Sequence, residues 1–418
     1  MFGIIDCNRF YASAEQLFRP ELRHKPVICL SNNDGAIVSL SPEASALGIP
    51  KFVPYFKVEQ LVRKHNVAVF SSNYTLYGDI SNRVMQTVQR FASEVEIYSI
   101  DEIFIEPVSL WGDLKTYGQL IRRTVAKEVG IGVGVGFGPT KTLAKASNRC
   151  AKKLPSLNGV CALETEMQRE WLLKRIEVGD VWGIGSRLAK RLQAIGVHTA
   201  WDLSKTPAKR IRQHLNVCVE RTVEELNGVS CLDLESMPPA KQQIFCTRSF
   251  GERLTNLEPI QQAIAHHAST AAEKLRKAGM HTQHIQVFLQ TSPFKPNFYY
   301  ESATIALPYP TDDTCAIARY ATHAVKGLFV EGMEFSKTGI GLLNLIPKGV
   351  AQHDLFAEPI ARTNENLMKV FDCINAKYGR GTVKVAAAKT EKGWQAKSQT
   401  VSPRYTTCWS ELPRVKCV

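Results

Sequence analysis

Tyr98–Glu102, with the sequence YSIDE, places two adjacent carboxylates directly behind Val95–Ile100, a run that is typical of a β-strand. Neighbouring residues of a regular strand point to opposite faces of its sheet. Asp101 and Glu102 can therefore serve one site only at the end of a strand or at a tight bend, where a hard divalent cation could bind both. The alternative is an exposed acidic turn without a ligand.

A third carboxylate comes from the first residues of the chain, where the short apolar run Phe2–Ile5 ends in Asp6. If the two strands are neighbours in one sheet, Asp6 lies beside Asp101 and Glu102. Three carboxylates in one place repel one another unless cations neutralise them. Mg²⁺ takes one or two protein carboxylates together with substrate phosphates, and two such ions can stabilise both oxygens of a phosphoryl transfer.

The composition is typical of a soluble globular protein, with 44% hydrophobic and 22% charged residues. The 418 residues suffice for two to four domains. We expect no membrane partner, since no apolar run approaches the roughly 18–20 residues of a membrane helix. Asp6 interrupts the apolar start, which argues against a signal peptide. The eleven cysteines lack C-x-x-C spacing, which indicates reduced thiols and a cytoplasmic protein.

The net charge of +13 favours a polyanionic partner. The excess is uneven, because residues 377–418 carry nine basic and two acidic side chains. This basic end of the chain either binds such a partner or is simply solvated.

The two acidic motifs resemble the palm motifs of the Y-family translesion DNA polymerases. Asp6–Ser13 (DCNRFYAS) and Tyr98–Glu102 carry this resemblance, which extends over nearly the whole chain. Within the family, the chain most resembles the UmuC branch, which comprises the catalytic subunit of bacterial DNA polymerase V and its plasmid-borne counterparts. The other matching segments are Ser31–Gly35 (SNNDG), Ser71–Tyr74 (SSNY), Asp180–Gly185 (DVWGIG), Arg248–Arg253 (RSFGER) and Val401–Thr407 (VSPRYTT).

The resemblance implies a catalytic site with two Mg²⁺ ions. Asp6, Asp101 and Glu102 would be the catalytic carboxylates and metal ligands, with the backbone carbonyl of Cys7 as a further ligand.

The resemblance also implies the residues that bind the nucleotide, which are Phe10, Tyr11 and Lys152. Tyr11 would be the ribose gate, a ring that leaves no room for a 2′-hydroxyl, and Lys152 would reach the triphosphate. The sequence departs from the family at Pro42 and Ser45, where Y-family enzymes often carry side chains that hold the triphosphate. Pro42 suits a first helical turn, so the departure predicts weak nucleotide binding rather than a different fold.

The resemblance and the order of predicted elements give an α+β multidomain fold, a right-hand polymerase with a ferredoxin-like palm whose helices cover one face. A β-α-β-β-α-β little finger follows a helical thumb with a helix-hairpin-helix. The expected boundaries are palm 1–25 and 73–165, small fingers 26–72, thumb 166–231, linker 232–243, little finger 244–347, and clamp-binding segment with basic C-terminal extension 348–418.

In Ile131–Gly138, every second residue is glycine and the residues between are Ile, Val, Val and Phe. This alternation has the period of a β-strand. Its glycines cannot form a P-loop, because the G-x-x-x-x-G-K-[ST] pattern is absent. We expect a strand with one bare face, which another element can approach closely.

Contacts with primer-template DNA are expected at three residues. Gly183 and Gly185 lie in the helix-hairpin-helix, whose turn can present backbone N–H groups to a phosphate; the alternative is an ordinary helix connection. Arg248 lies on the first strand of the little finger. Arg253 is oddly spaced from it and would face the other way on a regular strand.

Gln352–Phe356 resembles the peptide with which bacterial polymerases bind the sliding clamp, and Gln352, Leu355 and Phe356 would make the contact. The family prefers Leu where His353 stands, which predicts a reduced affinity. The resemblance further implies a UmuD′-type dimer and a RecA filament as partners of the C-terminal extension.

The sequence thus predicts an error-prone translesion polymerase that adds dNTPs opposite damaged template in SOS-type DNA damage tolerance and mutagenesis, associated with the nucleoid when active. Two alternatives remain. One is a DNA- and clamp-binding checkpoint subunit with vestigial catalysis, which Pro42 and Ser45 favour. The other is a palm-fold nucleotidyl cyclase, which would need neither thumb, little finger nor clamp peptide.

Overall fold

The computed structural model describes residues 1–108, 112–237, 239–350, 365–388 and 393–412. The chain divides into two compact units. Unit 1 comprises Met1–Ser31, Ala36–Pro238 and Thr400–Val418, and unit 2 comprises Asn32–Gly35 and Pro239–Gln399. In the described ranges, no helix has both the length and the apolarity needed to cross a membrane.

Unit 1 contains eight strands and eleven α-helices among its described residues. The strands are β1 (Phe2–Cys7), β2 (Val27–Leu30), β3 (Ile37–Leu40), β4 (Ala68–Ser71), β5 (Ala92–Ile97), β6 (Glu102–Pro107), β7 (Val133–Gly138) and β8 (Val160–Ala162). The helices are α1 (Phe10–Leu17), α2 (Pro42–Ala46), α3 (Glu59–Lys64), α4 (Tyr74–Gln89), α5 (Leu114–Glu128), α6 (Lys141–Lys153), α7 (Glu166–Leu173), α8 (Ser186–Gln193), α9 (Ala200–Lys205), α10 (Ala208–His214) and α11 (Val217–Leu226).

The larger sheet of unit 1 has the strand order β5-β6-β1-β7-β8. Strand β1 lies antiparallel between β6 and β7, and β8 extends the edge parallel to β7. The order of β5, β6, β1 and β7 is that of a ferredoxin-like fold, as predicted. The central strands are buried and rich in Ile and Val, and α1, α4 and α5 pack on one face.

The opposite face of this sheet is covered by α6, so the expectation of helices on one face only was wrong. The bare glycine face of β7 explains the difference, and it confirms the close approach predicted from the glycine alternation. A Cβ added at Gly136 would lie 2.2 Å from the backbone nitrogen of Asn148 and 2.4 Å from the carbonyl oxygen of Ala144. Only glycine lets α6 pack directly against the strand.

The smaller sheet of unit 1, with the order β3-β2-β4, lies in sequence between α1 and α4. It has its own small core, which Ile28, Ile37 and Val62 help to form. Pro42 occupies the first turn of α2, as predicted, and the hydroxyl of Ser41 caps this helix by accepting from the backbone N–H of Ala44.

Helices α7 to α11 enclose a second core, to which α6 contributes Leu143 and Cys150. The segment after α11, predicted as a linker from residue 232, begins as part of unit 1. Lys141 donates from Nζ to the carbonyl of Asp233 at 2.7 Å, and the backbone N–H of Glu235 donates to Glu96 at 2.8 Å. Backbone contacts of this kind left no signal in the sequence. The predicted domain boundaries are finer than the two units and stay predictions.

Unit 2 has a β-α-β-β-α-β order, as predicted. Its elements are β9 (Ile244–Leu254), α12 (Leu257–Lys277), β10 (Met280–Gln290), β11 (Tyr300–Thr311), α13 (Thr314–Leu328), β12 (Phe335–Pro347) and α14 (Glu365–Tyr378). The strand order is β11-β10-β12-β9, all neighbours antiparallel, and α12 and α13 cover the core. The guanidinium of Arg276 holds α14 through Asp372 at 2.7 Å.

We expect Gly136→Ala to destabilise unit 1, because the added methyl would overlap backbone atoms of α6 that cannot move independently. Overpacking of this kind costs about 1–3 kcal/mol or more. Gly132→Ala is the matched control, since its Cβ would meet only the Asn8 side chain at an ordinary 3.5 Å. Thermal unfolding of the two variants checks this; equal midpoints would contradict the close packing.

Candidate active site

The three predicted catalytic carboxylates lie at one end of β1 and β6. Asp6 and Glu102 are direct partners in the antiparallel register of these strands. Asp101 is the last residue of the turn before β6, and its carbonyl accepts from the backbone N–H of Cys7 at 2.9 Å. The structure therefore brings the three residues together.

The strand before the acidic pair ends three residues earlier than predicted. Strand β5 ends at Ile97, and Tyr98–Asp101 form a tight turn in which the backbone N–H groups of Tyr98 and Ser99 donate to the carbonyl of Glu102, each at 3.1 Å. This turn lets two adjacent carboxylates share one site. The hydroxyl of Ser99 donates to Asp101 Oδ1 at 2.7 Å and fixes its carboxylate.

Three lysines of α6 face carboxylates on three strands of the sheet. Lys152 Nζ lies 2.5 Å from Asp6 on β1, and Lys145 Nζ lies 2.9 Å and 3.0 Å from the two carboxylate oxygens of Glu102 on β6. Lys141 pairs with Glu96 on β5.

Only Lys152 of these three was predicted to belong to the site. The separations of four and seven residues among Lys141, Lys145 and Lys152 place them on one helix face, which is the signal that could have shown the other two. The ammonium of Lys145 also lies over the ring of Tyr98, 4.5 Å from its centre, beside Trp182 at 5.2 Å.

Gly134 makes room for the side chain of Lys152 to cross β7. A Cβ at this position would lie 2.9 Å from Cε and 3.0 Å from Cγ of the lysine. The glycine face of β7 thus serves the site as well as the packing of α6, because the lysine stem passes over it to reach Asp6.

Burial raises the pKa of Asp6 to about 6; Lys152 opposes this shift, and Glu102 and Asp101 add to it. Burial and the neighbouring carboxylates thus outweigh the one ammonium group that is paired with Asp6. Burial likewise raises the pKa of the Cys7 thiol, which is therefore neutral. The assignment of its backbone carbonyl as a metal ligand stays a prediction.

Lys51 is a further cation near the site that the sequence did not reveal. Partial burial lowers its pKa, as do Arg9 and Lys152, whereas Asp6 and Asp101 raise it. It therefore lies within electrostatic reach of these carboxylates. Its position depends on the turn after α2, which no local pattern relates to Asp6.

The donor chemistry of the three carboxylates fits a hard divalent cation, which prefers oxygen ligands. Within the part of the chain that the structure describes, no three His, Cys, Asp or Glu side chains already converge in a metal-binding geometry. Asp6 and Glu102 are instead paired with lysines. Binding a cation therefore requires Lys152 and Lys145 to release them.

A cavity of about 260 Å³ in unit 1 opens beside the paired residues. It is lined by Asp6, Glu102, Lys145, Lys152 and Trp182, among others. Its walls combine acidic and basic side chains with an aromatic ring, which suits a polar, charged ligand better than an apolar one.

Tyr11 lies on α1 within a cluster of aromatic rings. It stacks on Tyr77 with 4.3 Å between ring centres and meets Tyr74 edge-on at 6.1 Å. Phe10, in contrast, is only 3% exposed and packs in the core under the sheet. A contact of Phe10 with nucleotide would have to come from its backbone, and both nucleotide assignments stay predictions.

The predicted DNA contacts fall in two separate places. In unit 1, Gly183 has a positive φ of 87° in the turn before α8, and Gly185 is the N-cap of that helix. In unit 2, Arg248 is exposed on β9 and donates to the side chain of Asn32 at 2.7 Å.

The prediction that Arg253 and Arg248 face opposite ways assumed a regular strand and stays a prediction, because β9 is irregular between them. The pairing of β9 with β12 shifts register between Ser249 and Leu254, and both arginines are exposed. The predicted clamp residues Gln352, Leu355 and Phe356 lie outside the described residues.

Comparison with known proteins covers the whole chain. The model of the impB/mucB/samB family matches residues 5–149, that of its C-terminal domain residues 241–355, and that of the IMS family HHH motif residues 167–197. Protein UmuC of Salmonella typhimurium is 45% identical over 100% of both chains. The chain belongs to the impB/mucB/samB family. This confirms the predicted UmuC branch of the Y-family DNA polymerases and the predicted class of enzyme.

More distant matches agree with this family membership. DNA polymerase IV of Corynebacterium diphtheriae is 30% identical over 74% of this chain and 67% of its own length. The solved Y-family DNA polymerase chimera Dbh-Dpo4-Dbh superposes with a TM-score of 0.66 at 19% identity, covering 83% of this chain and 100% of its own. It confirms the predicted fold. A domain of unknown function matches residues 365–415.

We expect Lys152→Met to lower the stability of this impB/mucB/samB family member in metal-free buffer, because Asp6 would lose its cation. The pair is only partly buried, so the loss is about 1 kcal/mol, or about 2–4 °C in melting temperature. A divalent cation should restore most of the difference.

Lys153→Met is the matched control, since Lys153 lies on the same helix and pairs with Asp180 in a largely exposed bridge. Melting curves with EDTA and with Mg²⁺ make the comparison. Equal melting temperatures of the two variants, with the same effect of Mg²⁺ on both, would contradict the pairing of Lys152 with Asp6.

Proposed function

We propose that this protein is an error-prone translesion DNA polymerase, which extends a primer 3′-hydroxyl with a dNTP opposite damaged template and releases pyrophosphate. The observation that carries the proposal is the register of β1 and β6, which sets Asp6 opposite Glu102 with Asp101 in the adjoining turn. Family membership supports both DNA and dNTP as ligands.

Asp6, Asp101 and Glu102, with the carbonyl of Cys7, would hold two divalent cations, which we take to be Mg²⁺. The fold implies dependence on a divalent metal. When bound, such ions lower the pKa of the attacking hydroxyl and stabilise negative charge on the phosphates. The turn at Asp101 and the strand pairing at Asp6 keep the carboxylates in place, so little reorganisation is needed.

Lys152 and Lys51 would neutralise the triphosphate. Lys152 would exchange Asp6 for a phosphate oxygen as the carboxylate turns to the metal, and its stem already lies in the groove over Gly134. Lys51 would supply the second charge. The pair would compensate for Pro42 and Ser45, which cannot neutralise a phosphate.

Tyr11 would be the ribose gate, held rigid by its stack on Tyr77, and Phe10 would contribute its backbone. A rigid ring discriminates against a 2′-hydroxyl by steric exclusion. We assign residues 1–25 and 73–165 to the palm, 26–72 to the fingers, 166–231 to the thumb and 244–347 to the little finger, with 232–243 as linker and 348–418 as clamp-binding segment and extension.

Primer-template DNA would be held without sequence readout, through backbone groups at Gly183 and Gly185 and through Arg248. We further propose the sliding clamp, a UmuD′-type dimer and a RecA filament as partners in SOS mutagenesis at the nucleoid. The family relation supports these partners.

A checkpoint subunit with vestigial catalysis is the second candidate. The uncharged Pro42 and Ser45 at the start of α2 are the observation in its favour. It would keep DNA binding and lack extension activity, and this difference separates it from the first proposal.

Asp101→Asn should abolish primer extension on an abasic template with Mg²⁺ while DNA binding remains. The neutral amide cannot neutralise the charge of the metal ions and is a weaker metal ligand than a carboxylate. Glu106→Gln is the control, an exposed carboxylate further along β6, and should extend normally. The assay runs with and without a UmuD′-type partner and RecA filaments.

Primer extension by the Asp101→Asn variant would contradict the assignment of Asp101 as a catalytic residue. No extension by the unaltered chain in any condition, with DNA binding intact, would favour the checkpoint subunit.

Lys51→Ala should raise the KM for dNTP about tenfold with little change in kcat, the expected effect of losing one charge-assisted contact. Lys57→Ala is the control, an exposed lysine of the same region. Steady-state single-nucleotide insertion measures both constants. An equal KM in the two variants would remove Lys51 from the triphosphate site.

A further inference from the structure

Thr400–Tyr405, which we call the brace segment, belong to the part of the chain matched by a domain of unknown function. These residues pack within unit 1. The backbone N–H of Ser71, at the end of β4, lies 3.1 Å from the carbonyl and 3.0 Å from the hydroxyl of Thr400. The ring of Tyr405 stacks on Phe18 with 4.8 Å between centres.

The brace segment reaches the start of α4 through Asn73. This N-cap residue donates from Nδ2 to the carbonyls of Ser402 at 2.9 Å and Pro403 at 3.3 Å, while its Oδ1 accepts from the backbone N–H of Leu76. The first turn of α4 is thereby fixed from outside the helix, and that turn carries Tyr74 and Tyr77.

A buried carboxylate makes the second connection. Glu15 on α1 is fully buried, and its Oε1 accepts from the hydroxyl of Tyr77 at 2.7 Å and from that of Ser402 at 3.0 Å. Burial raises the pKa of Glu15, and the two hydroxyls oppose the shift. Removing either donor leaves the buried acid with a lost partner, which is costly.

Both connections end at the rings that hold Tyr11. Tyr77 stacks on Tyr11 through a nearly parallel face, with 16° between the ring planes, and Tyr74 meets it edge-on. Tyr405 contacts Phe18 at the end of α1, the helix that carries Tyr11 and Glu15. The brace segment therefore contacts both α1, which carries Tyr11, and α4, which carries the two rings that pack on it.

We propose that the brace segment positions Tyr11 and thereby sets the discrimination between deoxyribonucleotides and ribonucleotides, with Ser402 as the main positioning residue. The inference rests on the proposed function of Tyr11 as ribose gate. It gives a role to part of the segment that the domain of unknown function matches. Steric exclusion depends on small changes in the position of the Tyr11 ring. If Tyr77 is held less firmly, Tyr11 can shift and make room for a 2′-hydroxyl, while the catalytic carboxylates keep their positions.

The test measures kcat/KM for a dNTP and for the matching ribonucleotide in full-length protein. Ser402→Ala should lower the ratio of the two about five- to tenfold, mainly by raising ribonucleotide insertion. Ser410→Ala, an exposed serine of the same region, should match the unaltered protein. Should Ser402→Ala fail to fold, Tyr405→Leu removes the stack on Phe18 and should lower the ratio in the same direction.

A double variant shows whether Ser402 acts through Tyr77. In a Tyr77→Phe background, which already lacks the hydroxyl link to Glu15, Ser402→Ala should lower the ratio no further. A merely structural role would instead lower both kcat/KM values together and leave the ratio unchanged, which would overturn the inference, as would additive effects.

Tyr11→Ala separates the two levels of the argument. If the unaltered chain extends primers and Tyr11→Ala loses sugar discrimination, but Ser402→Ala and Tyr405→Leu keep it, the brace inference fails alone. If Tyr11→Ala keeps discrimination, the gate assignment fails and the brace inference with it.

Discussion

The close contact between α6 and the bare glycine face of β7 is the constraint on which the catalytic region depends. Helix backbone rests directly on strand backbone at Gly136, and this short distance lets lysine side chains reach across the sheet. Each of three lysines then meets an acid on a different strand. With a larger residue at Gly136 the helix would move outward and draw its lysines away from Asp6 and Glu102, and a larger residue at Gly134 would displace the side chain of Lys152.

Charge balance links this packing to the chemistry. Three carboxylates at the ends of neighbouring strands are unfavourable alone; burial raises the pKa of Asp6, and Glu102 and Asp101 add to the shift. Lysines on the covering helix relieve the repulsion, yet ammonium groups on flexible stems can leave when a divalent cation arrives. The same lysines then lie beside the place where phosphates would enter. One set of contacts thus stabilises the fold and, in the proposed function, supplies positive charge for a polyanionic substrate.

The sequence was sufficient for the fold class, the glycine-faced strand and the pairing of Asp6 with the acidic motif, because each has a local pattern or a family motif. It placed the end of β5 three residues late, since the turn at Tyr98–Asp101 is defined by hydrogen bonds to Glu102 and not by composition. Lys145 could have been predicted as a site residue from its helical spacing to Lys152. Lys51 and Ser402 could not, because only tertiary structure brings a loop or a distant segment against the site.

Unit 1 is discontinuous in sequence, and this has a consequence for biosynthesis. Apart from Asn32–Gly35, unit 2 is encoded between Pro238 and Thr400, so the brace segment is translated after nearly all of both units. Domains generally fold in the order in which they emerge, but here the first to begin is the last to be completed. Until Ser402 is translated, Glu15 lacks one of its two donors, so the ribosome must synthesise Pro239–Gln399 before the core of unit 1 can be completed.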